Sequence, residues 1–113
     1  TNPDLIVHRG SQIEYCAGSI AALFEKIGGE VIYFGKPYPE IYNFFIKKNE
    51  RVLAIGDNIK TDIVGANKMK FDSLFITGGI HKKEFLNIPI ENYDKVLSKY
   101  KSKTNYYQDK LNW

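Results

Sequence analysis

Only one cysteine occurs in the 113 residues, Cys16, so no internal disulfide can form and a stapled secreted scaffold is excluded. No lysine or arginine flanks it, which favours an inert thiol over a reactive one. No apolar run approaches the roughly 20 residues that span a bilayer, and no basic start precedes a signal-type apolar stretch. The expectation is a soluble, cytoplasmic protein with no membrane partner. The two histidines, His8 and His81, have neither a cysteine nor a second histidine at ligand spacing, which assigns both to surface or loop roles. Methionine occurs once, at the internal Met69, and the sequence opens on Thr1. A piece of a longer protein is therefore expected.

What is present describes one ordered domain: 43% hydrophobic and 26% charged residues lie near the globular average. Charge is unevenly placed. Residues 1–81 carry nine Lys plus Arg and nine Asp plus Glu, whereas residues 82–113 carry seven Lys against four acids, the whole of the net +3. Such a tail, with Tyr106, Tyr107 and Trp113, has the ingredients of a nucleic-acid stripe. Its lysines alternate with acids, however, and arginine is absent from it, so a solvated face is expected and nucleic acid is not a predicted partner.

Short apolar runs alternate with segments of helical period. Leu5-Ile6-Val7 reads as a strand, followed by a polar loop over residues 8–12. Ser19 is placed to cap a helix whose apolar face is Ile20, Leu23, Phe24 and Ile27, ended by Gly28-Gly29. Val31-Ile32-Tyr33-Phe34 is rich in strand formers, and Pro39 opens a helix to Asn49. Val52 to Ile55 is a continuous apolar run, as in a parallel strand covered on both faces. Thr61 or Asp62 is expected to cap the next helix, and Leu74-Phe75-Ile76 is a further strand. A helix through Tyr93 and Val96 and a short strand at Tyr106-Tyr107 follow. Strand, helix, strand, helix, strand from Val31 to Ile76 implies right-handed crossovers and a parallel α/β sheet flanked by helices.

Ligands on such sheets bind at the carboxyl ends of the strands. Asp57 follows Gly56 at one such end, and Asp62 stands at the start of the next helix. Two carboxylates in one cleft repel unless a cation joins them, and Mg²⁺ takes one or two carboxylates plus waters and phosphate oxygens. Capping of the loop and helix accounts for the same residues, and both readings stay open here. Lys36, between Gly35 and Pro37 at the end of the preceding predicted strand, falls on the same sheet edge, where an ammonium neutralises a phosphoryl group.

Gly35-Lys36-Pro37 followed by Gly56-Asp57-x-x-x-Thr61-Asp62-Ile63 resembles motifs III and IV of the haloacid dehalogenase (HAD) superfamily. Thr1-Asn2-Pro3-Asp4 and then Ala17-Gly18-Ser19-Ile20 are similar to the end of the C2 cap in its class IIA branch, the NagD-like and p-nitrophenylphosphatase-like hydrolases. The resemblance covers residues 1 to about 80 in order. It implies a partial Rossmann-like HAD core over residues 31–113, with residues 1–30 as the remnant of the cap. It also implies hydrolysis of small phosphate esters with Mg²⁺ through an aspartyl-phosphate. Carried over by position, Lys36 is the catalytic lysine, and Asp57 and Asp62 are the metal acids, Asp62 either contacting the metal shell or orienting Lys36. Asn58 and Gly35 take outer-shell or phosphate-binding places, and Asn2 and Asp4 belong to the cap loop near substrate.

One departure matters. The aspartates are Asp4, Asp57, Asp62, Asp72, Asp94 and Asp109, none two residues apart, so the D-x-D of motif I is missing. The 113 residues alone are expected to bind Mg²⁺ weakly and to be inactive, with an exposed sheet edge where the motif I strand belongs. The alternative is a non-catalytic remnant or interaction module using that edge. A response-regulator receiver is disfavoured, because there the lysine follows the phosphoacceptor, whereas Lys36 precedes Asp57.

Overall fold

The computed structural model describes residues 1–112, the side chain of His8 excepted, so the stacking role considered for Trp113 lies outside the described residues. The chain forms two compact units, Thr1–Phe45 and the residues from Ile46 on. The predicted boundary after residue 30 falls inside the first unit.

In the first unit, β1 (Ile6–Arg9) and β2 (Gln12–Tyr15) make an antiparallel hairpin with Arg9 opposite Gln12. The stretch expected as a polar loop is therefore mostly strand. Gly10 takes φ +62° at the tight turn, where glycine carries no strain. Helix α1 (Ala17–Lys26) begins two residues before Ser19. Ser19 is not its cap; its hydroxyl donates to the Leu5 carbonyl at 2.5 Å and ties the hairpin to the helix. Gly28, at φ +89°, lies just past the helix as predicted.

The helix predicted around residues 20–27 is present, whereas the strand expected at residues 31–34 is not. The apolar face of α1 remains open, with Ile20 71% and Ile27 82% exposed, while the small residues Gly18 and Ala21 face inward. Residues 31–34 form no regular strand: the pairing is confined to Thr1, whose N-terminus donates to the Ile32 carbonyl and whose carbonyl accepts the Phe34 N–H. One residue cannot supply a strand's worth of partners. Helix α2 (Pro39–Phe45) opens at the predicted proline and ends four residues early.

The second unit is a three-stranded parallel sheet in the order β3 (Leu53–Gly56), β4 (Asp72–Ile76), β5 (Tyr106–Gln108). A π-helical turn (Ile59–Ile63) runs into α3 (Val64–Met69) between β3 and β4. Helices α4 (Lys82–Phe85) and α5 (Tyr93–Ser98) connect β4 to β5. Burial of Ile59, Ile63, Phe75, Phe85, Val96 and Leu97 drives the assembly. Phe75, on the central strand, is fully buried, with its ring 5.1 Å from that of Phe85. β3 is one of the sheet's two edge strands, and it is not covered on both faces: Leu53 is 48% and Ile55 46% exposed.

Candidate functional site

Asp57 follows the last residue of β3, at the carboxyl end of the parallel sheet. Its Oδ2 accepts the Ile80 N–H at 3.0 Å. Gly79 lies directly on the same carboxylate, since a Cβ at residue 79 would stand 2.1 Å from Asp57 Oδ2. The loop after β4 therefore packs its backbone on Asp57, an approach that only glycine permits.

Asp62 is 7% exposed, and its Oδ2 accepts the Asn58 N–H at 3.0 Å. A Cβ on Gly56 would stand 2.2 Å from that oxygen. Glycine at 56 is thus required by the Asp62 carboxylate rather than by a left-handed turn. The cap of the following helical turn is Asn58, whose side chain accepts the Lys60 N–H at 3.0 Å, and not Thr61 or Asp62. Burying a carboxylate is costly without hydrogen bonds or a cation, so Asp62 is not a passive surface acid.

Two carboxylates thus flank the carboxyl end of β3. Among the described residues, no three His, Cys, Asp or Glu side chains gather into a metal cage. Two hard oxygen donors fit Mg²⁺, which completes its octahedron with water and phosphate oxygens, better than they fit Zn²⁺ with its nitrogen and sulfur ligands.

Lys36 and Gly35 belong to the first unit. There the Tyr38 N–H donates to the Gly35 carbonyl at 2.9 Å, and the Lys36–Pro37 peptide is cis. The rings of Tyr33 and Tyr38 stack at 4.8 Å across this loop, and Pro3 covers Gly35 so closely that a Cβ there would meet Pro3 Cδ at 2.6 Å. The Tyr33 hydroxyl donates to Glu25 at 2.7 Å, which pushes the phenol up to about 12. Asn2 accepts the Asp4 N–H through its side chain at 2.6 Å, and the Asp4 carbonyl accepts the Gly18 N–H at 3.1 Å. Asn2 and Asp4 therefore build the turn that crosses the start of α1.

His81 is the residue that sequence reasoning missed. It is 7% exposed, not a surface group. Its Nδ1 donates to Glu84 at 2.5 Å, and the Tyr100 hydroxyl donates to the other Glu84 oxygen at 2.7 Å. Its Nε2 is buried with no hydrogen-bond partner among the described residues. The His81 bond first, then that of Tyr100, holds the Glu84 carboxyl below the usual carboxylate range. The available signal was Glu84, one helical turn after His81, behind a Gly78-Gly79 pair that brings the chain close to the sheet.

Residues 33–102, more than half of the chain, match the family described as HAD-hydrolase-like. The chain belongs to that family. Over 85 residues it is 31% identical to the ribonucleotide monophosphatase NagD of Escherichia coli, an alignment covering 71% of this chain and 33% of NagD. A haloacid dehalogenase-like hydrolase from Brucella suis is similar at 36% identity and a TM-score of 0.55, over 71% of this chain and 33% of that one. A hypothetical protein from Pyrococcus horikoshii superimposes with a TM-score of 0.68 at 27% identity, over 94% and 38% of the two chains. A mutant thermostable p-nitrophenylphosphatase from Bacillus stearothermophilus gives 0.64 at 25%, over 94% and 39%. These relatives bear out the class IIA, NagD-like resemblance and the parallel α/β core. The chain spans about a third of the length of the curated relatives it matches. No helix among the described residues is long and apolar enough to cross a membrane.

Proposed function

We propose that the chain supplies the C-terminal part of a class IIA HAD-type phosphatase that hydrolyses small phosphate monoesters with Mg²⁺. The observation that carries this reading is Asp57 at the carboxyl end of β3, held by the Ile80 N–H, with the buried Asp62 beside the same turn. Asp57 and Asp62 would hold the ion, and Asn58 lies in its outer surroundings. Bound there, Mg²⁺ supplies charge neutralisation for the phosphoryl oxygens. Lys36, on the loop that Tyr33 and Tyr38 bracket, keeps the role the family resemblance gives it, that of the catalytic lysine whose ammonium neutralises a phosphoryl group. The attacking carboxylate belongs to a D-x-D segment this sequence does not contain. Its oxygen bonds to phosphorus as the ester P–O bond breaks, and water then hydrolyses the acyl phosphate.

Calorimetric titration with Mg²⁺ tests the metal assignment. Weak binding by the unsubstituted chain, lost in Asp57→Asn, is expected; binding that Asp57→Asn leaves unchanged would overturn it. The chain alone should not hydrolyse p-nitrophenyl phosphate, and metal-dependent turnover would refute the assignment of the nucleophile to a missing segment.

A second reading, a non-catalytic interaction module, draws on the open edge of β3 with its exposed Leu53 and Ile55. The coding sequence upstream separates the two. An in-frame D-x-D-G segment favours the enzyme and a stop codon favours the module.

A further inference from the structure

Between Thr77 and α4 few side chains hold the chain in place, and one turn bond, from the Lys82 N–H to the Gly79 carbonyl at 3.0 Å, closes the segment. Gly78 and Gly79 carry no side chains, and Ile80 is 69% exposed. Backbone bonds fix the start of the segment: the Thr77 and Gly78 N–H groups donate to the Gln108 and Asp109 carbonyls at 2.9 and 3.0 Å. Ile80 itself uses its N–H on Asp57. The first buried side chain after Thr77 is His81. Its ring lies 6.4 Å from that of Phe75 and 5.4 Å from that of Tyr100, and Nδ1 is bonded to Glu84.

We infer that His81 is a positioning residue, which through its bond to Glu84 holds the Ile80 N–H on Asp57 and so sets the affinity of the acidic site for a divalent ion. The inference rests on the metal reading above and adds to it the device that orients one acid. Removing a hydrogen-bonded partner behind a metal ligand typically weakens metal affinity by about 10–100-fold. Tyr100, donating to the second Glu84 oxygen, fixes the carboxylate that His81 needs.

The test uses the full chain and two readouts, hydrogen exchange at the Ile80 amide without metal and Mn²⁺ affinity by electron paramagnetic resonance. His81→Phe keeps the ring's bulk and removes the donor. Faster Ile80 exchange and Mn²⁺ binding weakened about tenfold are expected, with β4 amides unchanged. His81→Asn, which retains a donor near the place of Nδ1, should restore most of both. Ile80 exchange and Mn²⁺ affinity within about twofold of the unsubstituted chain would overturn the inference, as would an equal loosening of every β4 amide. Should His81→Phe fail to fold, Glu84→Ala decides by the same criteria. Should the unsubstituted chain take up no Mn²⁺, the metal reading fails, and the exchange measurement still decides whether His81 holds Ile80 on Asp57.

Discussion

The carboxylate of Asp62 occupies the space that a side chain at Gly56 would need, with the nearest oxygen 2.2 Å from an ideal Cβ. A buried acid and a strand-terminal glycine are thus a matched pair, and Asp57 sits next to the place where they meet. Replacing either one disturbs the carboxyl end of β3.

Gly56→Ala should destabilise the fold by about 1–3 kcal/mol in urea unfolding, the usual cost of overpacking. Asp62→Gly removes both the obstructing carboxylate and the Asp62 Cβ, which would stand 2.4 Å from a Cβ at 56, so the double variant should be more stable than the two separate losses predict. Strict additivity would show that the contact is not what excludes a side chain at 56.

Gly79→Ala carries the same logic to the other acid, since its Cβ would strike Asp57. Mg²⁺ affinity is expected to fall about tenfold or more, with little change in the far-ultraviolet circular dichroism spectrum. An unchanged binding isotherm would separate Asp57 from the ion.

Phe75 is fully buried on the central strand, packed against Phe85 and edge-on to Tyr107. Phe75→Ala should cost about 3–5 kcal/mol, read from the shift in the chemical denaturation midpoint. A shift under 1 kcal/mol, on the order of a surface change, would mean that the sheet is not organised around this ring.

Much of this architecture was legible in the sequence, for a definite reason. β3 and the second half of β4 are apolar runs and α5 repeats at helical spacing, so the pattern placed the two strands to within two residues and named the helix. The hairpin was read only in part, because every residue of β2 is exposed and no buried face imposes alternation. Val31–Phe34 has strand-forming residues but lacks a partner strand, and pairing is a tertiary fact that propensity does not contain. At the candidate site, Asp57 and Asp62 were singled out by their positions after an apolar run, and the structure puts Asp57 directly after the strand that run forms. The contribution of His81 was not, because its significance lies in Glu84 and Tyr100, and Tyr100 is distant in sequence.

Two titrations carry the electrostatics. The Tyr33 phenol, raised from 10.0 to about 12 by its bond to Glu25, keeps its proton longer in the folded chain. Its contribution is complete below pH 10 and is lost as the pH rises towards about 12. Phenolate absorbance should show this late step, and Tyr33→Phe should remove it; a Tyr33→Phe titration identical to the parent's would refute the assignment.

On the acid side, Glu84 titrates below its ordinary 4.5 when folded. Its contribution is present above pH 4.5 and fades as the pH falls through the lower folded value. Thermal melts of Glu84→Gln across the acid range should show a flatter pH dependence than the parent, and parallel curves would exclude Glu84 as a source of that dependence.

The most direct trial of the account is Mn²⁺-induced broadening of amide signals in the nuclear magnetic resonance spectrum of the full chain. Substoichiometric Mn²⁺ should broaden Asp57, Asn58 and Ile80, and Asp57→Asn should abolish the effect. Broadening centred elsewhere, or broadening that Asp57→Asn leaves unchanged, would contradict a metal site at the carboxyl end of β3.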